Sequence, residues 1–108
     1  MEVIDLMLKN PIIIITLLIM IIFRIFPPKN INALYGYRST SSMKNKTNWD
    51  FAQKYSANLF IAFLSTLLLI QVILYLVFGN KTFINLSIVI SLLLTIGIVI
   101  YKTEKKLK

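Results

Sequence analysis

The chain has no cysteine and no histidine among its 108 residues. Their absence excludes disulfides, thiolate nucleophiles, the usual zinc and iron–sulfur sites and imidazole acid–base work. Acidic residues are scarce as well: Glu2, Asp5, Asp50 and Glu104 stand against 12 Lys+Arg, a formal net charge of +8. None of the four lies at the centre of an apolar run. Small proton-coupled exporters need a carboxylate there, so that class is disfavoured. With no paired carboxylates, catalysis has little to stand on, and the chain reads as a non-enzyme without cofactor or metal.

Apolar residues are what the chain has in excess. They make up 57% of it, and mean hydropathy is +0.78. Soluble domains are about 45–50% apolar, so an ordinary water-soluble domain and a disordered chain are both excluded. The excess falls in three segments: 12–26, 59–78 and about 83–101. Each approaches the roughly 20 residues a helix needs to cross the hydrocarbon core. The expected fold is an all-α membrane protein, one domain over 1–108. It has three transmembrane helices (about 11–26, 57–78 and 83–101) and a structured interfacial loop over 27–56.

The first span is short. Asn10 as N-cap and Pro11 at the first helical position make a good helix start. A helix from 11 to 26 reaches only about 24 Å at 1.5 Å per residue. Val3–Leu8 is also mostly apolar, so the alternative is a start near residue 3 with a kink at Pro11. Pro27-Pro28 ends the helix either way. Acidic Glu2 and Asp5 in front, and no small-residue site behind, argue against a cleavable signal. Further on, Thr47 and Asp50 have the layout of a capping box opening the second helix. Gly79-Asn80 stops that helix, and a tight turn leads into the third.

Charge sets the expected topology. Lys9 and Lys81 fall on one side, and ten cations from Arg24 to Lys54 and Lys102 to Lys108 fall on the other. The positive-inside bias places the N-terminus outside and the loop and C-terminus in the cytoplasm. Anionic lipid headgroups are the nearer partner for such charge, with no direct nucleic-acid role. Arg24, near a span end, reads as a topology anchor, or as a headgroup contact. Ser87, Ser91 and Thr95 share one face of the third helix, as Ala62 and Thr66 do on the second. Hairpin packing with back-bonded hydroxyls is the simpler account, a polar pathway the sharper one. Gln71, mid-span, reads first as a packing residue, with a bond across to the third helix or to a second protomer as the form that packing could take, and as a functional group second. Three spans bury little surface, so a homo-oligomer is plausible.

The segment 31–49 is too aromatic for a linker and too polar for a span. Gly36 between Tyr35 and Tyr37 suggests a turn requiring positive φ or close backbone approach. Tyr35, Tyr37 and Trp49 suit the headgroup zone. Arg38 offers a planar fork for a carboxylate or phosphate. Asn32 and Asn45 can close turns through their side chains. A hydroxyl from 39–42 is expected to cap a short helix through Met43, Lys44 and Asn45. A plain interfacial plug would use the same residue types.

The ordered pattern Ile31-Asn32-x-x-Tyr35-Gly36-Tyr37-Arg38-Ser39-x-x-Ser42-Met43-Lys44-Asn45-x-x-x-Trp49-x-x-Ala52 resembles the signature of the SdpI family. Pro27-Pro28-Lys29 and the flanking spans agree. The resemblance covers about residues 23–57. Ser39 stands where the family often has Thr, and Thr40-Ser41 where many members have Pro and a basic residue. The type member is a longer bacterial immunity protein against a secreted cannibalism peptide toxin, with further N-terminal membrane helices. The resemblance therefore implies protection from a membrane-active antimicrobial peptide, and signalling to a cytoplasmic transcriptional repressor. The candidate binding residues are Asn32, Tyr35, Gly36, Tyr37, Arg38, Ser42, Met43, Asn45 and Trp49, with Arg38 as the anion-binding group. A small holin-like pore former and a lipid-binding accessory subunit are the alternatives.

Overall fold

A computed structural model describes residues 2–32 and 34–107; Lys108, counted above with the basic tail, lies outside them. Among the described residues the chain forms four helices: α1 (Glu2–Lys9), α2 (Ile12–Ile25), α3 (Lys46–Phe78) and α4 (Thr82–Leu107). The shape is a rod of 48 × 24 × 19 Å. Helix α3 is the central element: α2 and α4 both pack along it, and they barely touch each other. The buried core is built from Leu6, Ile13, Leu64, Tyr75, Ile84, Ile88 and Leu92.

Along the long helices the outer surface is strongly apolar too. Leu69, Leu76, Val77, Leu93 and Leu94 are each more than 60% exposed. Helices apolar all round need a bilayer around them. Two helices, α3 and α4, are long and apolar enough to cross a membrane. The first expected span takes its kinked form, two helices bent by 71° at Asn10-Pro11, so a third crossing exists only if that bent pair counts as one.

Several local expectations are corrected. Asn10 does not cap α2; Pro11 is the N-cap residue, and the Asn10 side chain donates to Asn85 Oδ1 (3.3 Å). Helix α3 starts earlier than the Thr47 capping box. Asn45 is its N-cap, extended at φ −157°, with Oδ1 accepting from the Asn48 N–H at 2.8 Å. The sequence Asn45-x-x-Asn48 offered a better acceptor two residues upstream. Asp50 pairs with Lys46 one turn back (2.6 Å), an exposed bridge worth little. Gly79, at φ +71°, closes α3 as expected, its N–H bonding to the Tyr75 carbonyl. Helix α4 runs on through the basic tail to Leu107.

Among the described residues Gln71 makes no direct bond to α4. Its Nε2 donates to the Asn10 carbonyl (3.1 Å), because the bend at Pro11 leaves that carbonyl outside the helical ladder. Thr66 and Ser87 bond back to the carbonyls of Ala62 and Phe83. Ala62, Thr66 and Ser87 are exposed, so they do not form the hairpin contact; Thr95 is buried. Lys9 and Lys81 share one end of the rod with the α3–α4 turn, and the loop and tail meet at the other.

Candidate functional site

The site is the loop of residues 26–45, folded back over one end of α3. Its first fixed point is Pro28, which is buried. Its carbonyl accepts a 2.7 Å hydrogen bond from the Trp49 indole Nε1. Trp49 is fully buried in the first turns of α3, not a headgroup anchor as its residue type suggests. A buried indole N–H requires a partner, and Pro28 presents a carbonyl with no N–H of its own to satisfy.

Asn32 makes the next turn. Its Oδ1 accepts from the N–H groups of Leu34 and Tyr35, both at 2.8 Å, and its Nδ2 donates to the Asn30 carbonyl. That leads the chain into Gly36, at φ +97°. A Cβ there would lie 2.6 Å from both Gln53 Oε1 and Pro28 Cγ. Glycine is thus required twice, by conformation and by space.

Gln53 explains the close approach. Its Oε1 accepts from the Tyr37 N–H and its Nε2 donates to the Tyr37 carbonyl, each at 2.7 Å. One buried amide on α3 therefore clamps both backbone groups of one loop residue. The Tyr37 side chain then reaches α4, its hydroxyl donating to Glu104 Oε1 at 2.7 Å. Burial first, and then the hydrogen bond and negative charge of Glu104, hold the Tyr37 phenol above its ordinary pKa. It stays protonated and donating at neutral pH. Arg38 follows, its Nε donating to the Asn32 carbonyl (3.1 Å). Ser39 and Ser42 close the loop reciprocally: each backbone N–H donates to the other's hydroxyl, at 2.7 and 3.1 Å. The Met43 N–H adds a bond to the Ser39 carbonyl, so the expected short helix is a single turn.

Beneath this loop lies a cavity of about 280 Å³. Met20 and Phe23 of α2, Ser56, Ala57 and Phe60 of α3, and Ile100 of α4 form its mostly apolar wall. Gly36, Tyr37, Arg38, Ser39 and Gln53 form its polar roof. It lies where α2 and α4 flank α3 and touch each other only slightly. Tyr35 packs its ring on Phe23, centroids 5.8 Å apart, which ties the roof to α2.

Of the nine residues proposed from sequence, Gly36, Tyr37 and Arg38 line this cavity. Asn32, Ser42, Asn45 and Trp49 hold the loop's shape by the bonds just described and do not line it. Tyr35 is half-exposed and Met43 partly buried. Sequence reasoning missed Gln53 and Glu104 as site residues. Gln53 carries no sequence signal beyond being a polar residue near the start of α3, and Glu104 is the one acid among the cations of 102–108. Arg24, the expected anchor, is exposed and donates from Nε to Asn58 Oδ1 at 2.7 Å.

The class defined by these features is a small helical membrane protein that folds a polar, clamped loop over a cavity between its helices. The chain belongs to the SdpI/YfhL protein family, whose sequence model matches residues 29–102. That stretch runs from the loop through α3 and most of α4. A relative, the uncharacterized protein YfhL of Bacillus subtilis (strain 168), is 49% identical over 41 residues, which is 38% of this chain. The matched segment is 37% of that relative, so the chain spans well under half of its length. No solved structure matches.

Proposed function

We propose that the chain is an immunity-type membrane protein that protects its host from a membrane-active antimicrobial peptide, with the loop-roofed cavity as the peptide-binding site. The observation that carries this reading is the preformed cavity itself. Its roof is pinned by the Gln53 clamp and includes Arg38, and its wall is mostly apolar. An apolar side chain of the peptide fills the cavity, and an anionic group of the peptide meets the Arg38 guanidinium.

With the loop on the cytoplasmic side, as the charge bias argues, a peptide outside the cell cannot reach the roof through water. A peptide already in the bilayer reaches the cavity sideways, along the thin seam where α2 and α4 barely touch. Family membership and the fit of the signature residues to one loop support this reading. The same geometry offers a route for signalling. Tyr37 joins the roof to Glu104 on α4, whose end carries Lys102, Lys105 and Lys106. Occupancy of the cavity would alter the basic face formed by loop and tail. That face is the proposed dock for a cytoplasmic repressor and for anionic lipid headgroups.

The test is survival of a sensitive bacterium expressing the chain and challenged with a panel of membrane-active peptides. Arg38→Ala and Arg38→Lys run beside the wild type at matched membrane levels. Protection by the wild type, lost in Arg38→Ala and partly kept in Arg38→Lys, supports the assignment. Full protection by Arg38→Ala removes Arg38 from the site.

A further inference from the structure

The end of the rod opposite the loop holds a second polar centre that the signature does not touch. Four residues from the α1–α2 bend, α3 and α4 are linked there. Gln71 donates to the Asn10 carbonyl (3.1 Å) and lies 3.5 Å from the Tyr75 hydroxyl. Tyr75 in turn donates to Asn85 Oδ1 at 2.7 Å, and Asn10 Nδ2 donates to the same oxygen. The network is built into apolar helices, where each buried polar atom left alone is costly. Gln71 is 1% exposed, and its Oε1 has no hydrogen-bond partner among the described residues.

Three of these residues, Asn10, Tyr75 and Asn85, line a cavity of about 430 Å³. Lys9, Asn80 and Thr82 add one cation, one amide and one hydroxyl to its lining. Leu86 and Val89, three residues apart on α4, continue the wall as an apolar strip away from the helix start. A single cation among neutral donors and acceptors, giving way to an apolar track, has the polarity order of an amphiphile. The phosphate of a membrane lipid fits the cation, its headgroup donors fit the amide oxygens, and its first acyl carbons fit the strip. The volume lies within the range of small-ligand sites, roughly 300–1,000 Å³.

We propose that this cavity is a discrete glycerophospholipid site, with the phosphate on Lys9 and the acyl chain along Leu86 and Val89. The site is independent of the loop cavity and of the immunity reading. It also gives the bend at Pro11 a purpose. The bend packs α1 against α3 and so brings Lys9 to the cavity that Asn85 lines. Lys81 sits at the same end but does not line the cavity, which supplies an internal control for diffuse attraction.

The experiment is native mass spectrometry of the full chain purified in neutral detergent and titrated with dioleoyl phosphatidylglycerol. Wild type is expected to retain one lipid per chain. Lys9→Gln should weaken retention about tenfold, the loss of one charge-assisted contact. Val89→Phe, which narrows the apolar strip without changing charge, should weaken it too. Lys81→Gln should leave retention unchanged, and inorganic phosphate at millimolar concentration should not displace the lipid. Equal losses in Lys9→Gln and Lys81→Gln would overturn the site in favour of surface charge. Displacement by inorganic phosphate would overturn the lipid in favour of a plain anion site. Unchanged tryptophan emission from Trp49 shows in each variant that the distant loop remains folded.

Discussion

Replacing Gly36 by alanine tests the construction of the loop at its tightest point. The new Cβ would sit 2.6 Å from Gln53 Oε1 and 2.6 Å from Pro28 Cγ, on a backbone at φ +97°. Holding a non-glycine residue in such a region costs about 1–3 kcal/mol. Relief of the clash requires the Gln53 amide to move, and it cannot move without releasing both bonds to Tyr37. Each such bond is worth about 1 kcal/mol net, more when a buried partner is left unsatisfied. The Pro28 side of the clash pushes on the residue that holds Trp49. The combined expectation is a loss of about 3–5 kcal/mol from loop docking. Trp49, the chain's one tryptophan and fully buried, supplies the assay. Its emission in detergent should shift to the red in Gly36→Ala, and loop cleavage at Lys29 or Arg38 by trypsin should accelerate, while far-ultraviolet circular dichroism stays helical. In a Gln53→Ala background one of the two collisions is gone, so the added cost of Gly36→Ala should fall. Native emission and native protease resistance in Gly36→Ala would refute the reasoning.

Other consequences follow from the same geometry. Trp49→Phe strands the buried Pro28 carbonyl and should cost about 1–3 kcal/mol of thermal stability by circular dichroism. Asn45→Ala removes the cap of α3 and should cost about 1 kcal/mol, whereas Thr47→Ala should stay within about 0.5 kcal/mol; equal effects would restore the capping box. The Tyr37 phenol has its folded pKa raised, by burial first and by Glu104 second. Its contribution is therefore complete below the ordinary tyrosine pKa of about 10, and it is lost as pH rises through the folded value. Trp49 emission should report loop release in strongly alkaline solution, and Tyr37→Phe should flatten that dependence. Because the chain lacks cysteine, Lys81→Cys and Lys102→Cys can be labelled singly in whole cells; the charge bias predicts labelling of the first by an impermeant maleimide and protection of the second.

The helices were legible because a bilayer enforces them. Long apolar runs such as 59–78 must satisfy their backbone internally, and helices do so. The bend at Pro11 was visible as one of two alternatives, since a proline there interrupts the ladder. Within the loop, the local features read correctly: Gly36 at positive φ, and Asn32 and Asn45 closing turns on their own neighbours. What sequence could not supply were pairings between distant positions. Gln53 meets Tyr37 across 16 residues, Trp49 meets Pro28 across 21, and Tyr37 meets Glu104 across 67. No periodicity encodes such contacts. Trp49 was misread for that reason: its type suits a headgroup zone, and only the partner carbonyl shows that it is internal. The Gln71 partner was equally hidden, because it is a carbonyl exposed by the bend.

The most direct measurement of the central claim is peptide-challenge survival with the loop cavity filled from within. Ala57 lines that cavity, and Ala62 lies on an exposed face of the same helix. At matched membrane levels and with native Trp49 emission, Ala57→Leu should abolish protection and Ala62→Leu should preserve it. Protection by Ala57→Leu equal to wild type would contradict a binding role for the cavity.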